Sequence, residues 1–185
     1  MRHAWIRPVP NILTVLRLVA AAVLPFVPTA WRLPILLFAT LSDWVDGIIA
    51  RRFDAQTAFG QLMDGVADKA VVLACVVMFV RSGEVALWQG LLVMARDIAV
   101  GVIISLLMLR SAWHAFDHVA ARWPGKLTTA LVFPWFVSLL IPGTEGIRPW
   151  LYWPAAAMSV IAAIDYALHA RDNVHHMTAS GADDV

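Results

Sequence analysis

Apolar residues fall into six long runs, separated by short stretches that carry most of the polar and proline residues. Each run is long enough, or nearly so, for a helix to cross about 30 Å of hydrocarbon. The pattern therefore predicts six membrane-spanning helices. The runs cover approximately residues 12–29, 33–50, 62–80, 85–109, 127–141 and 152–170. Prolines stand near the ends of these runs, where they are expected to start or stop helices, at Pro25, Pro28, Pro34, Pro142, Pro149 and Pro154.

The composition agrees with a membrane protein. Of the 185 residues, 61% are hydrophobic and 15% are charged, whereas a soluble domain uses roughly 25% charged residues. A soluble globule and a disordered chain are excluded, and a net charge of +1 leaves no basic excess for nucleic acid. We predict an all-α integral membrane protein, with a single six-helix domain over residues 1–170 that includes a short N-terminal interfacial segment. Residues 171–185 lack apolar periodicity and are predicted to form a flexible tail.

The basic residues indicate the orientation of the helices. If the N-terminus lies inside, the inner loops and ends carry clearly more Lys and Arg than the outer loops, as is usual for membrane proteins. The inner residues are then Arg2, Arg7, Arg51, Arg52, Arg110, Arg122, Lys126 and Arg171, and the outer ones are Arg32, Arg81 and Arg148. Both termini are therefore expected in the cytoplasm.

Four aspartates in the second and third runs are costly at membrane depth. They are Asp43, Asp46, Asp64 and Asp68. An Asp at a helix centre costs about 3 kcal/mol, so the four would together cost on the order of 10 kcal/mol without compensation. Cationic groups must therefore face them.

The spacing of these aspartates predicts one shared cleft. Asp43 and Asp46 lie about 60° apart on a helix, and Asp64 and Asp68 lie about 40° apart. The two helices are joined by a short loop, so both pairs lie toward the same cytoplasmic end. Oxygen ligands at this density suit two Mg²⁺ or Mn²⁺ ions, whose usual substrate is a phosphoester or diphosphate. In an alternative interpretation, the aspartates merely form structural ion pairs with Lys69 or Arg51.

A longer motif contains these residues. It reads Asp43-x-x-Asp46-Gly47-x-x-Ala50-Arg51, then Gly60, Asp64 and Asp68 at fixed intervals. The motif resembles the signature of the CDP-alcohol phosphatidyltransferase family, with every fixed position present. Further marks resemble the phosphatidylglycerophosphate synthases and the related cardiolipin synthases within that family. They are Pro10-Asn11-Ile12-Leu13-Thr14-x-x-Arg17, Ala67-Asp68-Lys69, Arg96-Asp97 and Gly125-Lys126-x-x-Thr129.

The resemblance implies a six-helix membrane enzyme that transfers the phosphatidyl group of CDP-diacylglycerol to an alcohol and releases CMP. It also implies a metal site formed by Asp43, Asp46, Asp64 and Asp68, in which the first three hold the ions and Asp68 lies close by and acts as general base. The CDP moiety would be received by Gly47, Ala50, Arg51 and Gly60. A bacterial-type inner (plasma) membrane location, a cytoplasmic active site and a possible homodimer are further expectations.

The acceptor is predicted from two basic residues that the carboxylate cleft does not require. Arg96 and Lys126 both lie in the inner half of the predicted bundle, where they could bind the phosphate of glycerol 3-phosphate. Alternatively, Arg96 pairs with its neighbour Asp97 and Lys126 only extends its ammonium group to the membrane surface. Pro usually follows the third Asp in the resembled subfamilies, where this chain has Gly65, and Gln is frequent where it has Val132. Phosphatidylglycerol, the cardiolipin synthase acceptor, therefore remains an alternative, as does another alcohol.

A function of another class is a cation carrier, because carboxylates inside helix bundles also line ion pathways. No inverted repeat is visible in the sequence, and the carboxylates gather at one end of the helices instead of the midplane. The enzyme interpretation is favoured for these reasons.

Overall fold

The computed structural model describes residues 8–52, 58–109 and 123–180, and it describes side chains over residues 12–42, 63–103, 105 and 125–169. Within these ranges all regular secondary structure is helical and no strand occurs, which confirms the all-α prediction. The α-helices are α1 (Pro8–Val23), α2 (Thr29–Arg52), α3 (Ala58–Arg81), α4 (Leu87–Val93), α5 (Ala95–Leu109), α6 (Trp123–Leu140) and α7 (Arg148–Ser180), and a short 3-10 helix spans Leu24–Phe26.

The helices follow the six apolar runs, with several differences. The fourth run is divided at Met94 into α4 and α5 instead of forming one continuous helix. Pro34 and Pro154 lie inside α2 and α7, although they were expected at helix ends. Both helices begin several residues before their proline, and helices in membrane proteins tolerate proline where neighbouring groups satisfy the freed carbonyl.

Helix α7 is longer than the sequence pattern predicted. It continues through Ser180, so residues 171–180 of the predicted tail are helical. The physical reason is the absence of helix-breaking residues, since neither Gly nor Pro occurs between Pro154 and Gly181. The flexibility of this segment stays a prediction.

The backbone groups into two compact units, Met1–Ala86 and Leu87–Val185. In the first unit, α1 packs against both α2 and α3, and α2 also contacts α3 directly. Buried apolar residues of α3, among them Val71, Cys75 and Phe79, form the core of this unit. The single domain predicted over residues 1–170 stays a prediction.

The distribution of polar and apolar residues on helix α1 is the reverse of that on a surface helix of a soluble protein. It buries the polar residues Thr14 and Arg17, which are 3% and 1% exposed, and it turns Ile12, Val15 and Val19 outward. In water such a helix would desolvate its charge and expose its apolar face, which is unfavourable on both counts. The arrangement is favourable where lipid surrounds the helix.

The second unit consists of α4 to α7. Helix α7 lies against α4, α5 and α6, and it buries a stripe of small residues, Ala155, Ala156, Ser159 and Ala162. Small residues at this spacing let helix backbones approach closely, which is how helices commonly associate in membranes. The opposite face of α7 exposes large apolar side chains, including Trp150 at 80%.

Side chains close the turn between α6 and α7. Arg148 donates from Nε to the Ser138 carbonyl (3.3 Å) and from Nη2 to the Leu139 carbonyl (3.4 Å), so it satisfies carbonyls that the end of α6 leaves without partners. Hydrogen bonds from the backbone N–H groups of Glu145 and Gly143 lower the pKa of the Glu145 carboxyl, with a smaller contribution from Arg148. The turn therefore presents an ionised carboxylate beside Arg148.

One described segment, Arg148–His169, is long and apolar enough to cross a membrane by length and composition. Shorter apolar helices cover Ile12–Phe26, Thr29–Ser42 and Gly125–Leu140. The six predicted spans are therefore not confirmed and stay a prediction. The polar residues in the second half of α2 and the break at Met94 shorten the apolar lengths that the sequence runs suggested.

Candidate active site

Two motif carboxylates lie on one face of α3. Asp64 and Asp68 are four residues apart, which places them one helical turn from each other. Asp64 is half-buried, whereas the Asp68 side chain is 53% exposed. Gly65, between them, has open space where a side chain would project. The surface beside these carboxylates is thus uncrowded.

Helix α1 supplies a partner for each carboxylate. The Thr14 hydroxyl donates a hydrogen bond to Asp64 Oδ1. One turn further along α1, Arg17 Nη1 donates to Asp68 Oδ1 at 2.8 Å, which is also an ion pair. The three-residue spacing on α1 matches the four-residue spacing on α3, so two neighbouring helices hold both carboxylates through side-chain contacts.

Arg17 is one of the cationic groups that the four aspartates were expected to require. Its side chain is 1% exposed, and a guanidinium buried to that degree requires an opposite charge. From the sequence, Lys69 and Arg51 were the expected partners of the aspartates, and neither Thr14 nor Arg17 was predicted as a site residue. The signal was present, because Arg17 interrupts an apolar run and follows Thr14 at helical spacing.

The other half of the predicted cleft comes from the second half of α2. The backbone of Asp43, Asp46, Gly47, Ala50 and Arg51 is helical, as the predicted spacing of these residues assumed. Gly60 lies in the first turn of α3. The side chains of these residues lie outside the described residues, so the meeting of all four carboxylates stays a prediction.

The predicted acceptor residues lie in the second unit, at the beginnings of two helices. Arg96 is the second residue of α5, and Gly125 and Lys126 stand in the first turn of α6. Arg96 Nη1 donates to Thr129 Oγ1 at 3.3 Å, and the guanidinium lies directly against Gly125. The structure therefore brings Arg96 to the start of α6. The Lys126 side chain is exposed.

Positive charge accumulates at this place. The N-terminal end of α6 carries backbone N–H groups that point out of the helix, and its first turn contains no acidic residue. Within the described residues, Arg96 forms no ion pair with Asp97, which was the alternative considered from the sequence. In the part of the chain that the structure describes, this guanidinium has no carboxylate partner, and a guanidinium beside a helix N-terminus is an arrangement typical of anion-binding sites.

Comparison with known proteins decides the family. The family model described as CDP-alcohol phosphatidyltransferase matches residues 7–161, which include every motif residue discussed above. The chain belongs to the CDP-alcohol phosphatidyltransferase family. The resemblance found in the sequence is thereby confirmed, and the protein is a phosphatidyltransferase.

Curated members of the family match over nearly their whole length. A protein of Pectobacterium atrosepticum is 34% identical over 181 residues, covering 89% of this chain and 97% of its own. One of Rickettsia bellii is 28% identical over 172 residues, covering 85% and 92%, and one of Shigella flexneri is 31% identical over 178 residues, covering 87% and 95%. All three are named CDP-diacylglycerol–glycerol-3-phosphate 3-phosphatidyltransferase.

Family membership also bears on membranes and metals. Members are membrane enzymes and generally depend on a divalent metal. The donor set fits such an ion, because Asp64 and Asp68 offer carboxylate oxygens on one face and hard divalent cations prefer oxygen ligands. Among the side chains that the structure describes, no group of three His, Cys, Asp or Glu residues is close enough to hold a metal. The remaining carboxylates predicted for the phosphatidyltransferase site are those of α2, outside the described side chains.

Proposed function

We propose that this protein transfers the phosphatidyl group of CDP-diacylglycerol to glycerol 3-phosphate, giving phosphatidylglycerophosphate and CMP, in phospholipid biosynthesis. The observation that carries the proposal is the match to curated relatives of that name over almost the full length of both chains. The Thr14–Asp64 and Arg17–Asp68 contacts support it, because they hold in place two motif carboxylates that share one face of α3.

In this reaction the carboxylates have separate tasks. Asp43, Asp46 and Asp64 would hold the divalent cations, two Mg²⁺ or Mn²⁺ ions, with Asp68 beside them. The ions, when bound, neutralise the diphosphate and stabilise the departing CMP. A hydroxyl oxygen of glycerol 3-phosphate attacks the phosphorus that bears diacylglycerol, the bond from that phosphorus to the CMP oxygen breaks, and Asp68 takes the hydroxyl proton.

The surroundings of Asp68 suit a general base. Arg17 holds Oδ1 and so fixes the orientation of the carboxylate, yet the side chain is more than half exposed and accessible to a substrate hydroxyl. An aspartate that served only to neutralise Arg17 would be expected to be as buried as its partner. The difference in exposure favours a catalytic role over a purely structural ion pair.

The remaining motif residues would receive the nucleotide. Gly47, Ala50 and Gly60 have little or no side chain, so CDP could approach the helix backbones, and the Arg51 guanidinium would bind diphosphate oxygens. Glycerol 3-phosphate would place its phosphate at Arg96 and Lys126, near the positive end of α6. That arrangement holds the acceptor by the group that does not react and leaves its hydroxyl available.

The proposal includes the position of the enzyme in the cell. The inverted polarity of α1 and the apolar outer face of α7 support helices surrounded by lipid. We place the protein in a bacterial-type inner membrane, with six spans, both termini and the active site on the cytoplasmic side. A homodimer is part of the same proposal.

The first experiment measures CMP release by the purified protein. It is supplied with CDP-diacylglycerol, Mg²⁺ or Mn²⁺ and, separately, glycerol 3-phosphate, phosphatidylglycerol, serine or inositol phosphate. Release with glycerol 3-phosphate is expected. Release with phosphatidylglycerol and not with glycerol 3-phosphate would contradict the proposed acceptor and identify a cardiolipin synthase.

The second experiment separates the carboxylates. Asp68→Asn should reduce turnover by about 1,000-fold or more while metal-dependent binding of CDP-diacylglycerol is retained, because the amide cannot accept the proton. Asp64→Asn should weaken turnover and metal-dependent binding together. Full turnover in Asp68→Asn would refute the general-base assignment.

A further inference from the structure

The guanidinium of Arg96 occupies space that a side chain at position 125 would fill. A Cβ built on Gly125 would lie 2.9 Å from Arg96 Nη2 and 3.0 Å from both Cζ and Nε. These distances are shorter than ordinary contacts of a Cβ, for which about 3.5–4.0 Å is optimal. The guanidinium therefore packs directly on the backbone of Gly125, in the first turn of α6.

Thr129 fixes the edge of the same guanidinium. Its hydroxyl donates to the carbonyl of Gly125 at 3.3 Å, one turn earlier in α6, and accepts from Arg96 Nη1 at 3.3 Å. Because the hydroxyl proton is used toward Gly125, the oxygen is oriented to accept from the arginine. Gly125 thus affects Arg96 in two ways. Its missing side chain leaves space for the guanidinium, and its carbonyl orients the Thr129 hydroxyl that accepts a hydrogen bond from Arg96.

The backbone of Arg96 is held from a third helix. Ser159 of α7 is fully buried; its Oγ accepts the Arg96 N–H at 3.2 Å and donates to the Val93 carbonyl at 2.6 Å. A serine from outside thereby satisfies one backbone group on each side of the break at Met94. Hydrogen bonds therefore hold both the backbone of Arg96 and its guanidinium.

We propose that Gly125 is a positioning residue for Arg96: by lacking a side chain it allows the guanidinium to lie on the first turn of α6, where it binds the phosphate of the acceptor. The inference rests on the proposed function, in which Arg96 contacts that phosphate. Any side chain at position 125 would lift the guanidinium away from this place. Since the obstructed atoms are the end of a flexible side chain, the fold should accept the substitution and the arginine should move.

Gly125→Ala is the direct test. We expect the KM for glycerol 3-phosphate to rise about tenfold, while the KM for CDP-diacylglycerol and kcat stay within about twofold of wild type. Gly101→Ala is the matched control, because Gly101 lies on α5 and an added Cβ would meet nothing within 4 Å. Its kinetic constants should equal those of wild type.

A double-mutant cycle shows whether Gly125 acts through Arg96. Arg96→Ala should raise the KM for glycerol 3-phosphate, and Gly125→Ala should add nothing further in the Arg96→Ala background. Equal effects of Gly125→Ala with and without Arg96 would overturn the inference. So would an unchanged KM in Gly125→Ala, or a fall in kcat that accompanies a rise in both KM values.

Failure of the proposed function gives a different result. Wild-type enzyme would then release no CMP with glycerol 3-phosphate, whatever residue stands at position 125. The acceptor that supports release in the panel then replaces glycerol 3-phosphate in the same cycle. An effect of Gly125→Ala that depends on Arg96 supports the positioning role, and an effect independent of Arg96 contradicts it.

Discussion

Burial of the Arg17 guanidinium is unfavourable, but the buried group forms an ion pair that orients Asp68. Its burial on α1 removes a guanidinium from solvent, and the ion pair with Asp68 at 2.8 Å offsets that cost. The pair also has a geometric consequence, since a carboxylate held at Oδ1 keeps its direction while substrate binds and leaves. The same contact therefore stabilises the first unit and orients the proposed base.

Removing the charge of Arg17 tests both effects. Arg17→Met should lower kcat by about 10- to 100-fold, because Asp68 loses its orienting partner. It should also lower the free energy of unfolding by about 2 kcal/mol, less than for a wholly buried pair because Asp68 is more than half exposed. Activity assays and an SDS unfolding titration in mixed micelles measure the two quantities.

Two further variants make the Arg17 result interpretable. Arg17→Lys retains the charge and should recover part of the lost turnover. Glu145→Gln removes the exposed pair with Arg148, whose atoms are 3.7 Å apart, and should leave the free energy of unfolding almost unchanged. Wild-type turnover in Arg17→Met would contradict the positioning of Asp68 by this ion pair.

The break between α4 and α5 depends on a residue from another helix. A continuous helix would satisfy the Val93 carbonyl and the Arg96 N–H within its own backbone. Ser159 bonds to both groups, so the break carries no penalty for these two groups. The position of Arg96 at the start of α5 follows from this arrangement.

Ser159→Ala should therefore be destabilising. Two backbone groups would lose their partner in a buried place, which corresponds to a loss of about 1–3 kcal/mol in the free energy of unfolding. Ser105→Ala is the matched control, because Ser105 is exposed and its hydroxyl donates only to the Gly101 carbonyl of its own helix at 2.8 Å. The SDS titration should show a clear shift for Ser159→Ala and almost none for Ser105→Ala. Equal shifts would show that the two hydrogen bonds of Ser159 across the break do not stabilise the protein.

For the whole molecule, the distribution of basic residues predicts which loops face the cytoplasm. Under that topology, a cysteine at position 57 is inside and one at position 146 is outside. Gly146 is exposed and has open space for a side chain, so Gly146→Cys should not disturb the fold.

The topology is tested with a thiol reagent that does not cross membranes. In sealed right-side-out vesicles, Gly146→Cys should react at once, and Thr57→Cys should react only after the membrane is opened. The native Cys75 is fully buried and should stay unlabelled in both cases, so it serves as the internal control. Labelling of Thr57→Cys from outside would reverse the proposed topology.

The amino-acid sequence was sufficient to predict the helical content, the approximate helix positions and the family, because these depend on local periodicity and on residues at fixed spacing. It also placed Asp64 and Asp68 on one helical face, since side chains four residues apart are neighbours in any α-helix. The extent of α7 could have been inferred as well, from the lack of Gly and Pro before Gly181.

Which groups meet across helices depends on the packing of the helices and could not be predicted from the sequence. Arg17 and Asp68 are 51 residues apart, and their contact depends on how α1 and α3 are rotated toward each other. The bridge from Ser159 to Arg96 spans 63 residues, and the contact of Arg96 with Gly125 joins the starts of two helices. No local spacing encodes such contacts, because the rotation and depth of a packed helix are set by the shapes of all the side chains between it and its neighbours.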